Sequence, residues 1–108
     1  MTMILVYITA GSPEEARAIG RALVEERLAA CVNLIDGMSS IYRWRGAIEE
    51  ARETVILAKT RADLFETLAT RVRALHSYTT PCILELPAGR IDAGYRAWLE
   101  AETAPAGT

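Results

Sequence analysis

At 108 residues, 51% hydrophobic and 24% charged, the chain carries enough apolar surface to fold as one domain, and its composition excludes a disordered tract. A net charge of −2 excludes the basic stripe on which nucleic-acid binders rely, and no apolar run nears about 18 residues, which excludes a membrane-spanning helix. With two cysteines far apart and no charged-then-apolar leader at its start, the chain is expected to be a cytosolic protein with free thiols.

Met3 to Ile8, MILVYI, is a continuous apolar run, the pattern of a strand buried on both faces. Thr9-Ala10-Gly11 turns the chain, and Ser12-Pro13-Glu14-Glu15 opens a helix: the Ser12 hydroxyl accepts from the Glu15 amide, and Pro13 sits where no donor is needed. Ala16, Ile19, Leu23, Val24 and Leu28 line one face of that helix, and charged residues take the other.

The dominant feature follows. Cys31 to Thr60 alternates with period two on both sides of Arg45-Gly46 and is rich in Val, Ile, Tyr and Trp, which predicts a long β-hairpin. Asp36-Gly37 marks a bulge that flips the alternation within its first arm. Each arm of about 14 residues spans roughly 45 Å, against about 24 Å for the helices. The hairpin therefore overhangs its own domain, and its bare edges demand cover from identical chains. A cyclic trimer covers every edge equivalently, with Ile41, Tyr42 and Trp44 as interface residues.

Beyond the hairpin, Thr60 to Asp63 offers an N-cap for a second helix through Leu64, Phe65, Leu68, Val72 and Leu75, ending near His76. Pro81 and Pro87 bracket CILEL, a short strand suited to a sheet edge. Asp92 caps a short third helix through Tyr95, Trp98 and Leu99, and residues 103–108 read as a frayed tail of a single domain spanning 1–108. The order βαββαβ plus a trailing helix predicts an α+β, ferredoxin-like sandwich with strand order 4-1-3-2.

That topology puts His76, Cys82 and Ala10 at one end of the sheet and Cys31, beside Lys59, at the other, too far apart for a disulfide. No phosphate loop, CxxC, HxxxH or GxSxG pattern is present, so the chain does not read as an enzyme. His76, at a helix C-terminus, is the better functional candidate; the plain alternative makes it a polar helix end and the cysteines small core residues. Tyr78 and Thr80 flank the same turn as structural hydrogen-bonding groups, and Glu49, Glu50 and Glu53 read as a solvated strand face.

Three stretches, EERLAACVNLIDGMSSIYRWRGAIEEARETVILAKT, LHSYTTPCILELP and DAGYRAWL, together resemble the CutA divalent-cation tolerance proteins over nearly the whole chain. The resemblance implies a cytosolic homotrimer similar in design to the PII signalling proteins, with hairpins wrapping between subunits. It also implies a part in tolerance to copper and other divalent metals, without catalysis and without a required cofactor. Copper-binding members are thought to use a cysteine at the end of strand one and a histidine pair before the YxTP motif. Here those positions read Ile8-Thr9-Ala10 and Leu75-His76, so the implied metal site reduces to His76 with the Cys82 thiol, a weak one because soft metals want several N or S ligands together. The resemblance further implies an intersubunit cleft for a small ligand, lined by Cys31, Lys59, Tyr78 and Trp98. The competing class is a scaffold trimer that docks a partner protein without metal chemistry.

Overall fold

In the computed structural model, which describes residues 2–103, the chain runs β1 (Met3–Ala10), α1 (Pro13–Glu25), β2 (Cys31–Trp44), β3 (Ala47–Arg61), α2 (Phe65–Leu75), β4 (Ile83–Pro87) and α3 (Ala93–Glu102). The strands form one antiparallel sheet in the order β2-β3-β1-β4, the expected ferredoxin-like arrangement.

β1 is apolar from Met3 to Ile8 because it lies between β3 and β4. Its residues Ile4, Val6 and Ile8 join Ile56 and Ala58 of β3 on one face, where Ile19 and Leu23 of α1 and Leu68 and Val72 of α2 close over them. Ser12 caps α1 by accepting from the Glu15 amide, as its sequence demands. The opposite face carries Leu5, Tyr7 and Thr9 with their β3 partners Lys59, Leu57 and Val55. Neither α1 nor α2 covers this face. At one end of it α3, capped by Asp92, packs Leu99 with Met3 and Ala30.

The hairpin turns at Arg45 and Gly46, whose φ angles of 49° and 83° are both positive. That is the twist-matching two-residue turn, and glycine meets its second position without strain. The bulge falls between Ile35 and Met38, with Gly37 at φ 74°. Its consequence is a change of parity: Ile35 opposes Val55 before it and Met38 opposes Glu53 after it, so Met38, Ser40, Tyr42 and Trp44 fall on the face left open by α1 and α2. Ile41 and Arg43 take the other face, opposite Glu50 and Ile48. The pairing of β1 with β3 ends at Ala10 and Thr54, so β3 from Ala47 to Glu53 pairs with β2 alone. The two arms therefore project as an unsupported ribbon along a molecule 44 Å in its longest dimension.

Two expectations are corrected. Thr60 is no helix cap: it is buried in β3, which continues to Arg61, and its hydroxyl donates to the Leu28 carbonyl at 2.7 Å. α2 is instead entered through a short 3-10 turn, Ala62–Leu64, without any side-chain cap. Thr103, expected within the frayed tail, is instead buried, and its hydroxyl donates to the Leu99 carbonyl at 2.9 Å. Residues 104–108 lie outside the described ones. No helix of the described residues is long and apolar enough to cross a membrane.

Candidate functional site

The segment after α2 is tied down at three points, and these ties shape a large depression beside the ribbon's base. His76 caps α2, and its side chain is fully buried. Its Nε2 lies 2.7 Å from the Thr9 carbonyl. A carbonyl oxygen only accepts, so Nε2 carries the proton, and Nδ1 is left to accept from the Tyr78 amide at 3.0 Å. Both ring nitrogens are thus employed. Next to them Glu15 reaches across from α1, accepting from the Ser77 amide at 2.7 Å and the Ser77 hydroxyl at 3.0 Å. Burial works to raise the Glu15 carboxyl, but the Ser77 donors, the His76 ring and the Gly11 amide outweigh it and hold it below its ordinary value.

The third tie is the Tyr78 hydroxyl, which donates to Glu53 of the ribbon at 3.0 Å. Burial first, and then that carboxylate, push the Tyr78 phenol up to about 12. A groove of about 670 Å³ opens beside it on the open sheet face, walled by Tyr7 of β1, Met38, Tyr42 and Trp44 of β2, and the 77–80 turn, with Cys82 at its floor. Tyr7 donates its hydroxyl to the Met38 sulfur at 3.4 Å. Burial, followed by the nearby Glu53 charge, pushes the Cys82 thiol up, which makes it a poor nucleophile.

The comparisons with known proteins bear on this arrangement as a whole. The sequence model described as "CutA1 divalent ion tolerance protein" matches residues 4–102. The chain belongs to the CutA1 family. It is 50% identical over 99 residues to the divalent-cation tolerance protein CutA of Thermus thermophilus, covering 92% of this chain and 96% of that one. The solved structure of the Thermus thermophilus protein superimposes with a TM-score of 0.92 at 48% identity, covering 94% of this chain and 99% of that one. CutA1 from Oryza sativa superimposes with a TM-score of 0.94 at 33% identity, covering 96% and 95%. The relatives are named as tolerance proteins, and none of these names is that of an enzyme.

For this CutA1 chain the expected cleft residues do not meet within one subunit. Tyr78 lines the groove, whereas Cys31 and Lys59 pair across β2 and β3 at the other end of the sheet. There the Lys59 ammonium donates to the Tyr95 hydroxyl at 3.2 Å and lies 5.5 Å from its ring, and Tyr95 stacks against Trp98 at 5.6 Å. Cys31 and Cys82 are both free thiols. Around His76 and Cys82 the chain offers no chelate: among the described residues, no group of three or more His, Cys, Asp or Glu side chains is placed to hold a metal.

Sequence reasoning missed Tyr7, Met38, Glu53 and Tyr95 as participants. The sequence places Glu53 on a solvated strand face, yet it is the acceptor that anchors Tyr78. The signal was present in the register: once the bulge at Gly37 is granted, Met38 opposes Glu53 on the face that Tyr7 shares.

Proposed function

We infer that this chain works as a homotrimeric divalent-cation tolerance protein of the cytoplasm, assembled through its overhanging hairpins, with ligand clefts at the subunit boundaries. The observation that carries the reading is the ribbon itself. Its two strands are paired only to each other, and Ile41, Tyr42, Trp44 and Ile48 are 69%, 43%, 46% and 59% exposed in the single chain. An isolated two-stranded ribbon is marginal in water, and long apolar edges invite pairing. Head-to-tail contact around a threefold axis lets each ribbon reach the next subunit and covers all its edges, whereas a twofold pairing of two hairpins covers one edge. Cys31, Lys59 and Trp98 at one end of the sheet then complete a cleft with Tyr78 of a neighbouring copy.

Copper or another divalent ion enters this reading as a weakly held ligand at His76 and Cys82. Its weakness follows from cost, because His76 has to release Thr9 or Tyr78 before either nitrogen can coordinate. Signalling in the manner of the PII proteins follows from the resemblance and from the trimer. Light scattering tests the assembly: Trp44→Glu is expected to dissociate it, whereas Arg43→Ser, on the other face, leaves it intact. Copper titration followed by calorimetry tests the metal part, with micromolar binding in the native chain or equal binding in Cys82→Ser counting against it. The absence of a chelating group among the described residues favours the second reading, a scaffold that docks a partner protein. Recovery of no partner from cell extract at physiological salt counts against that one.

A further inference from the structure

A second, smaller recess lies under α3, at the end of the sheet away from the ribbon. It holds about 150 Å³, and Leu5 of β1, Ala88 and Ile91 of the link after β4, and Leu99 of α3 give it apolar walls. Lys59 of β3 and Tyr95 of α3 bring the polar side-chain atoms. Ile41, Tyr42 and Trp44, the residues assigned to the contact between subunits, do not line it. The Lys59 ammonium donates to the Tyr95 hydroxyl at 3.2 Å and lies 5.5 Å from the centre of that ring. Both of these partners are neutral, and among the described residues Lys59 joins no ion pair: those present engage Arg21, Arg61, Arg71 and His76. Of the acids on neighbouring elements, Asp92 is occupied in capping α3, where it accepts from the Tyr95 amide, and Glu85 pairs with Val6, whose side lies on the helix-covered face.

This combination selects among ligand classes. A cation, organic or metallic, meets the Lys59 charge and finds no carboxylate in the lining. A nucleotide or other large ligand needs a pocket of about 300 Å³ or more. A neutral apolar molecule fits the walls but leaves the half-buried ammonium without a counter-charge. A small molecule with an apolar chain and an anionic head satisfies both. The Lys59 ammonium has three hydrogens and gives one to Tyr95; the Tyr95 oxygen accepts it and keeps its own hydrogen to donate. Two donors 3.2 Å apart thus stand beside the apolar walls, ready for one carboxylate.

We propose that the recess under α3 binds a short-chain carboxylate, its alkyl chain against Leu5, Ile91 and Leu99 and its head accepting from the Lys59 ammonium and the Tyr95 hydroxyl. The size sets the chain length, because a cavity near 150 Å³ takes a molecule of about six carbons. The inference deepens the reading of a ligand cleft at this end of the sheet, and it rests on that reading for the openness of Lys59 in the assembled protein.

The test is calorimetric titration of the native full-length chain with hexanoate, with hexan-1-ol, which has the same chain and no charge, and with acetate, which has the same head and almost no chain. Hexanoate is expected to bind at least about fivefold more tightly than hexan-1-ol, the size of effect of one ion pair at a partly exposed site. It is expected to exceed acetate by more than about tenfold, since each buried methylene contributes up to about fourfold. Lys59→Met, which keeps the apolar stem, should erase the preference over hexan-1-ol, and Lys59→Arg should retain it. Ala88→Leu, which fills the recess without touching Lys59, should weaken hexanoate and leave acetate unchanged. Equal affinity for hexanoate and hexan-1-ol, or for hexanoate and acetate, in the native chain overturns the proposal, as does an undiminished preference in Lys59→Met. The native mass is measured on the same samples. A single-chain mass with the hexanoate preference intact refutes the assembly reading and leaves the carboxylate site standing, whereas an assembled mass without that preference refutes the carboxylate site alone.

Discussion

Replacing His76 by alanine separates a structural histidine from a ligand histidine. In the native chain its buried ring donates to the Thr9 carbonyl and accepts from the Tyr78 amide. Thr9 lies one residue past the last pair between β1 and β4, Ile8 with Ile83, and is itself buried, so its carbonyl has little access to water. Leaving one such acceptor unpaired costs about 1–3 kcal/mol, and emptying a ring-sized volume adds a cavity term. The Tyr78 amide is closer to solvent and contributes less. His76→Ala should therefore lose about 2–4 kcal/mol of stability in urea unfolding at neutral pH, compared at fixed protein concentration because assembly couples to unfolding. His76→Gln, with a donor and an acceptor in one side chain, should recover part of it. A ring kept only for coordinating metal predicts otherwise. If His76→Ala unfolds within about 0.5 kcal/mol of the native chain, the size of an ordinary surface substitution, the structural account of His76 is wrong.

Three further outcomes follow from local geometry. A Cβ added at Gly20 of α1 meets Val32 Cγ2 at 2.8 Å, so Gly20→Ala should destabilise by about 1–2 kcal/mol despite its helix preference, yet become favourable in a Val32→Ala background, as a double-mutant cycle in urea will read. The lowered Glu15 carboxyl contributes stability that is present above its ordinary value of 4.5 and lost as pH falls below it; acid unfolding of Glu15→Gln should lack that component, and identical acid midpoints would contradict the assignment. The raised Tyr78 phenol works in the opposite direction. Its contribution is full below the ordinary value of 10.0 and is lost as pH rises through about 12, so Tyr78→Phe should unfold less steeply with alkali than the native chain.

The parts of this fold written in local pattern were legible in the sequence. The hairpin follows from period two and Gly46, the bulge from Asp36-Gly37, and two helix starts from Ser12 and Asp92, because each is decided by a residue and its immediate neighbours. Thr60 misled for the same reason. A threonine before an apolar helical pattern looks like a cap until a distant acceptor, the Leu28 carbonyl, takes its hydroxyl and keeps it in the strand. His76 looked available because nothing in the sequence records that Thr9 and Tyr78 occupy its two nitrogens. The groove was hidden more deeply. Its walls come from β1, β2 and the 77–80 turn, and Glu53 joins them only through the register that the bulge imposes.

The central claim is that this fold is built to be one third of an assembly, and the mass of the native protein tests it most directly. Sedimentation of the full chain over a range of micromolar concentrations should give a single species at three times the 11.8 kDa of one chain, without a monomer at the dilute end. A stable species at the mass of one chain, or of two, would contradict the account of the overhanging ribbon.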